Sequence, residues 1–277
     1  MIIWIASYPK SGNTWVRLFL KAYFTPMDEK FNINTNNTDI FKSPKFPSPK
    51  FLKELNINHE ILSEVAKNWI TLQDKINLNN QINYLKTHNA MCTINNHKFT
   101  NVENTLGAIY LVRDPRDIIS SYASHLGEPL GKVYEAMINS KNCEERIFEN
   151  KKYTETFLGS WSDHYNSWKS YKFANLLFIK YEDLISAPEK TFLKILTYLN
   201  HINKTQINEK KMVHAINLTS FENLKKQEGQ AGFVEGSKKG VFFREGKVGM
   251  WKKNINKEMV QKIERSFFKE MKELNYL

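Results

Sequence analysis

Residues 2–20, IIWIASYPKSGNTWVRLFL, restrict what this chain can fold into more than any other stretch. Ile2, Ile3, Trp4 and Ile5 form a short apolar run, which reads as a buried strand. Residues 6–14 break that run with turn residues and a single cation, Lys10. From Trp15 the apolar positions Trp15, Leu18, Phe19, Ala22 and Tyr23 are spaced for one face of a helix. A buried strand, a small-residue loop and a helix start together make a seat for phosphate. Loop N–H groups and the positive end of the helix point at the anion, and Lys10 adds a full charge.

The rest of the composition is that of an ordinary globular protein. Apolar residues make up 41% and charged residues 25% of 277 residues, enough chain to bury a large core without staples. Cys92 and Cys143 are far apart in sequence and fit no disulfide framework or metal-ligand spacing, so a reducing, cytoplasmic setting is expected. The N-terminal apolar run is too short for a signal segment, and no run approaches a membrane span. A net charge of +11 points to anionic partners. The basic residues are scattered rather than gathered in one tail or helix. A phosphorylated small molecule is therefore expected rather than nucleic acid.

Along the chain, residues 25–49 lack periodicity and read as a long loop, either a surface insertion or a wall of a pocket. Residues 51–73 have helical spacing, and residues 83–86 are a short strand candidate followed by Thr87 and His88. GAIYLV at residues 107–112 is the strongest buried strand. Asp114 then fits a helix N-cap and Pro115 the first helical position. Residues 156–171 read as an aromatic amphipathic helix, residues 176–180 as a strand, and residues 188–199 and 257–273 as helices. Strands alternating with helices predict an α/β fold, a mainly parallel central sheet flanked by helices on both faces. Neither repeats nor a linker interrupt it, so residues 1–277 are expected to form a single domain. Ligands on such sheets bind at the carboxyl ends of the strands. Lys10, His88, Arg113 and Tyr181 each follow a strand candidate, so four polar groups would gather at one edge.

The first loop departs from the nucleoside-triphosphate pattern, in which lysine sits just before the helix beside a magnesium-binding hydroxyl. Here Lys10 precedes Gly12. YPKSGNTW at residues 8–15 instead resembles the 5′-phosphosulfate-binding loop of cytosolic-type sulfotransferases. The likeness continues through LKTH at 85–88, YLVRDPRDIISSY at 110–122, YEDL at 181–184, LTSF at 218–221 and FREGKVGMWK at 243–252. These fall in the family's order and cover most of the chain.

The resemblance implies a P-loop-kinase-like sulfotransferase fold and a cofactor, 3′-phosphoadenosine 5′-phosphosulfate (PAPS), used without a metal. It implies transfer of a sulfuryl group to a hydroxyl or amine of a small-molecule acceptor. Lys10, Ser11, Gly12, Asn13 and Thr14 would cradle the 5′-phosphosulfate, and Trp15 would stack on the adenine. Arg113 and Ser121 would hold the 3′-phosphate, and Arg244, Glu245 and Gly246 match the loop that closes over it. Tyr181, Thr219 and Phe221 would line the adenine side. Lys86 and His88 match the catalytic strand end, His88 as general base and Lys86 either assisting the leaving group or sitting as a neighbour.

The chemistry is consistent with those roles. Two separated phosphates need two cationic sites, and a guanidinium fork pairs with phosphate oxygens bidentately. A lysine suits the sulfuryl end, where charge builds on the leaving oxygen. A histidine with an ordinary pKa near 6.5 is neutral at pH 7 and accepts a proton. The other six histidines read as surface or structural residues.

The glycine-rich residues 229–249, interleaved with Lys238, Lys239, Arg244 and Lys247, predict a lid ordered by the 3′-phosphate. Glu245 stands where the family usually has lysine, which leaves open whether Lys247 compensates. Met250 stands where aspartate is common, and the segment after Trp251 lacks the family's short dimer motif, so oligomeric state does not carry over. The rivals are a small-molecule kinase on a related fold and a non-catalytic adenosine 3′,5′-bisphosphate-binding protein.

Overall fold

The structure, a computed structural model, describes residues 1–34, 41–148, 151–172, 175–236 and 241–277, with the side chains of 146–148 outside the description. Lys238, Lys239 and Gly240 of the expected lid, and 35–40 of the expected loop, lie outside the described residues. The central sheet holds β1 (Ile2–Ser7), β2 (Asn83–Thr87), β5 (Thr105–Val112) and β8 (Asn175–Lys180) in the order β2-β1-β5-β8. All three pairings are parallel. Two antiparallel hairpins stand apart from it: β3 (Thr93–Ile94) with β4 (His97–Lys98), and β6 (Cys143–Phe148) with β7 (Lys151–Phe157).

The strands are apolar on both faces because both are covered. Ile2, Trp4, Ala6, Ala108, Tyr110 and Val112 enter one core cluster, and Ile3, Ile5, Ile109, Leu111 and Ile179 the other. Side chains alternate faces along a strand, so one run of residues feeds two cores. Helix Asn13–Phe24 packs on the second cluster through Val16, Phe19 and Leu20, with Phe192, Ile195 and Leu196 of helix Pro188–Asn203. Helix Pro115–Leu126 packs on the first through Ile118, Ile119 and Tyr122, beside Trp161 and Trp168 of helix Trp161–Lys169. From β1 the chain runs outward to β2 and returns on the other side of β1 to β5. The helices that follow β1 and β5 therefore leave on opposite faces, and a crevice opens at the carboxyl ends between them.

Four expectations about local structure need correction. Residues 156 and 157 belong to β7, where Tyr153, Glu155 and Thr156 are buried. The helix starts only at Trp161, where Ser160 and Asp163 form a reciprocal capping box. Residues 51–73 do not make one helix: Pro49–Glu54, Leu62–Lys67 and Trp69–Asn77 are separate, and the chain turns through Asn56 at φ 53°. The C-terminal helix is broken into Lys257–Ser266 and Phe268–Glu273 at Phe267, which is turned into the core. Gly229 lies inside helix Phe221–Ala231 rather than in a loop.

Candidate active site

A cavity of about 240 Å³ opens at the carboxyl ends of β1, β2 and β5. Lys10, Gly12, Asn13, Thr14 and Trp15 form one wall, Lys86 and His88 the next, and Arg113, Ser121 and Tyr181 the third. Phe221, Arg244, Glu245 and Gly246 cover it from the C-terminal half. Ser11 and Thr219 are not on the wall but fully buried behind it. The Thr219 hydroxyl donates to the Ala215 carbonyl one turn back.

The first loop is shaped by its backbone. Lys10 has φ 68° and Gly12 φ 94°. A side chain at Gly12 would meet the Tyr181 ring at 2.7 Å, so glycine here answers both the left-handed backbone and the close aromatic. Gly12 is the N-cap of helix Asn13–Phe24 and no side chain caps that helix, which leaves its first turn open to an anion. Asn13 fastens the loop to β1 by donating from Nδ2 to the Ile5 carbonyl at 2.9 Å. The Lys10 ammonium lies 4.4 Å above the Phe242 ring. Burial, and then the charges of Arg113, Lys86 and Arg244, pull its pKa down to about 8.

Arg113 bridges two distant segments. Its Nη1 donates to the Lys10 carbonyl and its Nη2 to the Lys247 carbonyl, each at 3.2 Å. Its guanidinium carbon sits 4.2 Å over the Tyr181 ring. Lys247 thus meets Arg113 through its backbone, while its own side chain is exposed. Asp117, one turn into the helix after β5, accepts from the N–H groups of Gly249 and Trp251 at 2.7 and 2.8 Å. That pair of bonds fastens the C-terminal loop without an acidic residue at position 250. Gly246 has φ 61°, and a side chain there would meet the Phe221 ring at 2.2 Å.

His88 Nδ1 lies 2.7 Å from the Ser7 carbonyl oxygen. A carbonyl only accepts, so Nδ1 carries the proton and Nε2 keeps its lone pair. Burial and the neighbouring Lys86 charge hold the imidazole well below its ordinary pKa. His164 lies behind it, taking a hydrogen bond from Tyr110 at Nδ1 and donating from Nε2 to the His88 carbonyl.

Three charged residues that sequence reasoning did not single out, Lys45, Glu144 and Glu235, line this cavity, as does His125, one of the histidines read as surface or structural. Lys45 reaches it because Pro44 and Phe46 hydrogen-bond along the open edge of β2 at Lys86. Glu144, on β6, accepts from Lys45 at 2.6 Å. Hairpin β6–β7 is anchored beside His88 by an Ala90 N–H bond to the Phe157 carbonyl. Glu235 pairs with Arg17 and Lys86. No local pattern marks these residues, because their meeting depends on segments about 100 or more positions apart coming together, as in the Lys45–Glu144 pair.

The residues present fit a doubly anionic nucleotide. Lys10, Lys86, Arg113 and Arg244 surround one cavity. Ser11 Oγ, Trp15 Nε1 and Arg113 Nε are buried without a hydrogen-bond partner among the described residues, and buried polar atoms are rarely left so. The Trp15 ring already packs edgewise on Tyr181 and Phe192, at 6.3 and 5.7 Å.

A family model described as "Sulfotransferase domain" matches residues 2–275. The chain is 25% identical over 280 residues to the amine sulfotransferase of Oryctolagus cuniculus, covering 98% of this chain and 81% of that protein. It is 25% identical over 272 residues to the flavonol 3-sulfotransferase of Flaveria bidentis, covering 95% and 79%. Sulfotransferase 1B1 of Mus musculus is 27% identical over 280 residues, covering 96% and 81%. Among solved structures, mouse sulfotransferase SULT7A1 complexed with PAP superposes with a TM-score of 0.61 at 20% identity, covering 98% of this chain and 84% of that one. Retinol dehydratase in complex with androsterone and inactive cofactor PAP gives 0.59 at 18% identity, covering 98% and 80%. The central parallel sheet, the loop after its first strand and the match across nearly the whole length agree: the chain belongs to the sulfotransferase family.

Proposed function

We propose that this sulfotransferase moves a sulfuryl group from PAPS to a hydroxyl or amine of a small-molecule acceptor, in line and without a metal. The observation that carries this is the cavity at the strand ends, which Lys10, His88 and Arg113 share although they lie on three separate segments. Bound PAPS supplies an activated sulfuryl group and a phosphate leaving oxygen. Gly12, Asn13 and Thr14 would hold its 5′ end from the cavity wall, with Ser11 shaping the loop from behind. Arg113, Ser121 and Arg244 hold the 3′-phosphate, with Glu245 and Gly246 in the covering loop. Trp15, Tyr181 and Phe221 border the base, and Thr219 supports that side from behind.

His88 takes the acceptor proton at Nε2, the nitrogen left free by the Nδ1–H bond to Ser7. Its lowered pKa keeps that lone pair available at neutral pH. Lys10 would stabilise charge developing on the leaving oxygen, and Lys86, on the strand beside β1, would assist there. The metal-independent reading is supported by Lys10 preceding Gly12, where a magnesium-binding loop has its lysine beside a hydroxyl after the glycine. The small kinase alternative requires that other order.

Thermal unfolding with adenosine 3′,5′-bisphosphate in a chelator tests the cofactor. A raised melting temperature is expected, since a ligand of the native state stabilises by mass action. An unchanged one removes the cofactor. Labelled PAPS with an acceptor panel then tests transfer, and binding without transfer to any acceptor would favour a non-catalytic protein.

A further inference from the structure

One carboxylate outside every motif closes a chain of contacts across the cavity. Glu235 follows helix Phe221–Ala231, in the segment expected to form the lid. Its Oε2 accepts from Lys86 Nζ at 3.0 Å and from Arg17 Nη2 at 2.6 Å, and its Oε1 from Arg17 Nη1 at 2.8 Å. Arg17 is itself held, donating from Nε to Asn13 Oδ1 at 2.9 Å and from Nη2 to Thr14 Oγ1 at 3.1 Å. Asn13 in turn is tied to β1. The series therefore runs from β1 through Asn13, Arg17, Glu235 and Lys86 to β2, the strand beside it.

We propose that Glu235 is a positioning residue for sulfuryl transfer, acting through Lys86. This rests on the proposed role of Lys86. A lysine ammonium is a point charge on a flexible four-carbon stem. Lys10 and Lys45 line the same cavity as Lys86, the Arg17 charge acts on it from behind, and repulsion among these cations would drive an unheld ammonium away. Glu235 supplies the anion bonded to Lys86, and Glu144 is a further carboxylate whose charge acts on it. Its fork-to-fork pairing with Arg17 fixes the carboxylate in direction as well as distance. Two cations share one carboxylate, so the trio keeps a charge of +1 and Lys86 remains an effective cation toward a sulfuryl oxygen. Arg17 gains a role it lacks in the phosphosulfate loop: it is the part that carries the register of helix Asn13–Phe24 to Lys86. A displacement of about 1 Å in a catalytic group costs as much as about 100-fold in rate.

The test is a double-mutant cycle on kcat, using labelled PAPS and an acceptor found by screening. Glu235→Gln is expected to lower kcat about 10–100-fold, with the acceptor KM moved far less. Glu235→Asp is expected to recover part of the loss. Lys86→Ala and the double variant are expected to have the same kcat within about twofold, because contacting residues that act as one unit are not additive. Multiplying losses would overturn the proposal. So would an unchanged kcat in Glu235→Gln, and so would a raised one, which would mean that Glu235 sequesters Lys86. Adenosine 3′,5′-bisphosphate must still raise the melting temperature of Glu235→Gln. Loss of that shift means the carboxylate holds the cofactor site instead, which also overturns it. Absence of the shift in the unsubstituted protein removes the cofactor reading itself, a separate failure.

Discussion

His88 and Ser7 are joined at 2.7 Å, imidazole Nδ1–H to backbone carbonyl, across the carboxyl ends of two adjacent parallel strands. Since Ser7 ends β1 and His88 follows β2, the sheet itself sets the tautomer. The pairing Ala6 to Thr87 leaves the next residues side by side. A base made this way needs no carboxylate partner to orient it.

His88→Ala is therefore expected to keep the thermal shift with adenosine 3′,5′-bisphosphate and to lose transfer by about 10²–10⁴-fold, the usual size of base catalysis. Retained turnover would take His88 out of that role. In the unsubstituted protein the acid limb of kcat/KM should lie below pH 6.5, because burial and Lys86 lower the proton affinity of the imidazole.

Lys10 titrates near the working range. Its pKa of about 8 in the free protein implies that kcat/KM for PAPS falls above about pH 8, as the ammonium is lost. Lys10→Arg keeps its charge at every accessible pH, so its profile should lose that limb even if the rate is lower. A basic limb unchanged in Lys10→Arg would assign it to another group.

Gly246→Ala combines a left-handed backbone, φ 61°, with a ring 2.2 Å from the new methyl group. Backbone strain of this kind costs about 1–3 kcal/mol. Roughly tenfold weaker binding of adenosine 3′,5′-bisphosphate is expected by calorimetry, about 1.4 kcal/mol. Affinity equal to the unsubstituted protein would show that this loop does not bear on the ligand.

Asp117→Ala strips two backbone N–H groups, Gly249 and Trp251, of their acceptor. Hydrogen bonds to a charged group are worth about 1.5–3 kcal/mol each. Hydrogen exchange should speed at 249 and 251 while β1 and β5 stay protected. Uniform acceleration would instead indicate global destabilisation.

His164 gives the fold a dependence on acid. It is fully buried, and burial pulls its pKa down to about 4. A depressed histidine contributes stability that is full above its unfolded value near 6.5 and is lost as pH falls toward the folded value. Melting temperature should decline from pH 6.5 toward 4, and His164→Gln should flatten that slope while lowering stability at neutral pH. An equal slope in both proteins would place the acid sensitivity elsewhere.

The sheet and the first loop were legible because their signals are local. IIWIAS and GAIYLV are buried on both faces, so apolar continuity alone marks them, and Gly12 and Lys10 sit at fixed offsets from a strand end. Arg113 and His88 could be placed for the same reason, each one residue past a strand. β6–β7 was not legible, since CEERIF and KKYTETF carry charges and find their core through Tyr153 and Glu155 against His59. Lys45, Glu144, Arg17 and Glu235 were silent for a related reason. A charged residue looks solvated until a partner from another segment arrives. By itself the sequence determined the loop after the first strand, the strand ends and the family to which the chain belongs. Only the tertiary structure decided which carboxylates meet which cations across the cavity, because an ion pair is set by distance in space and leaves no period in the chain.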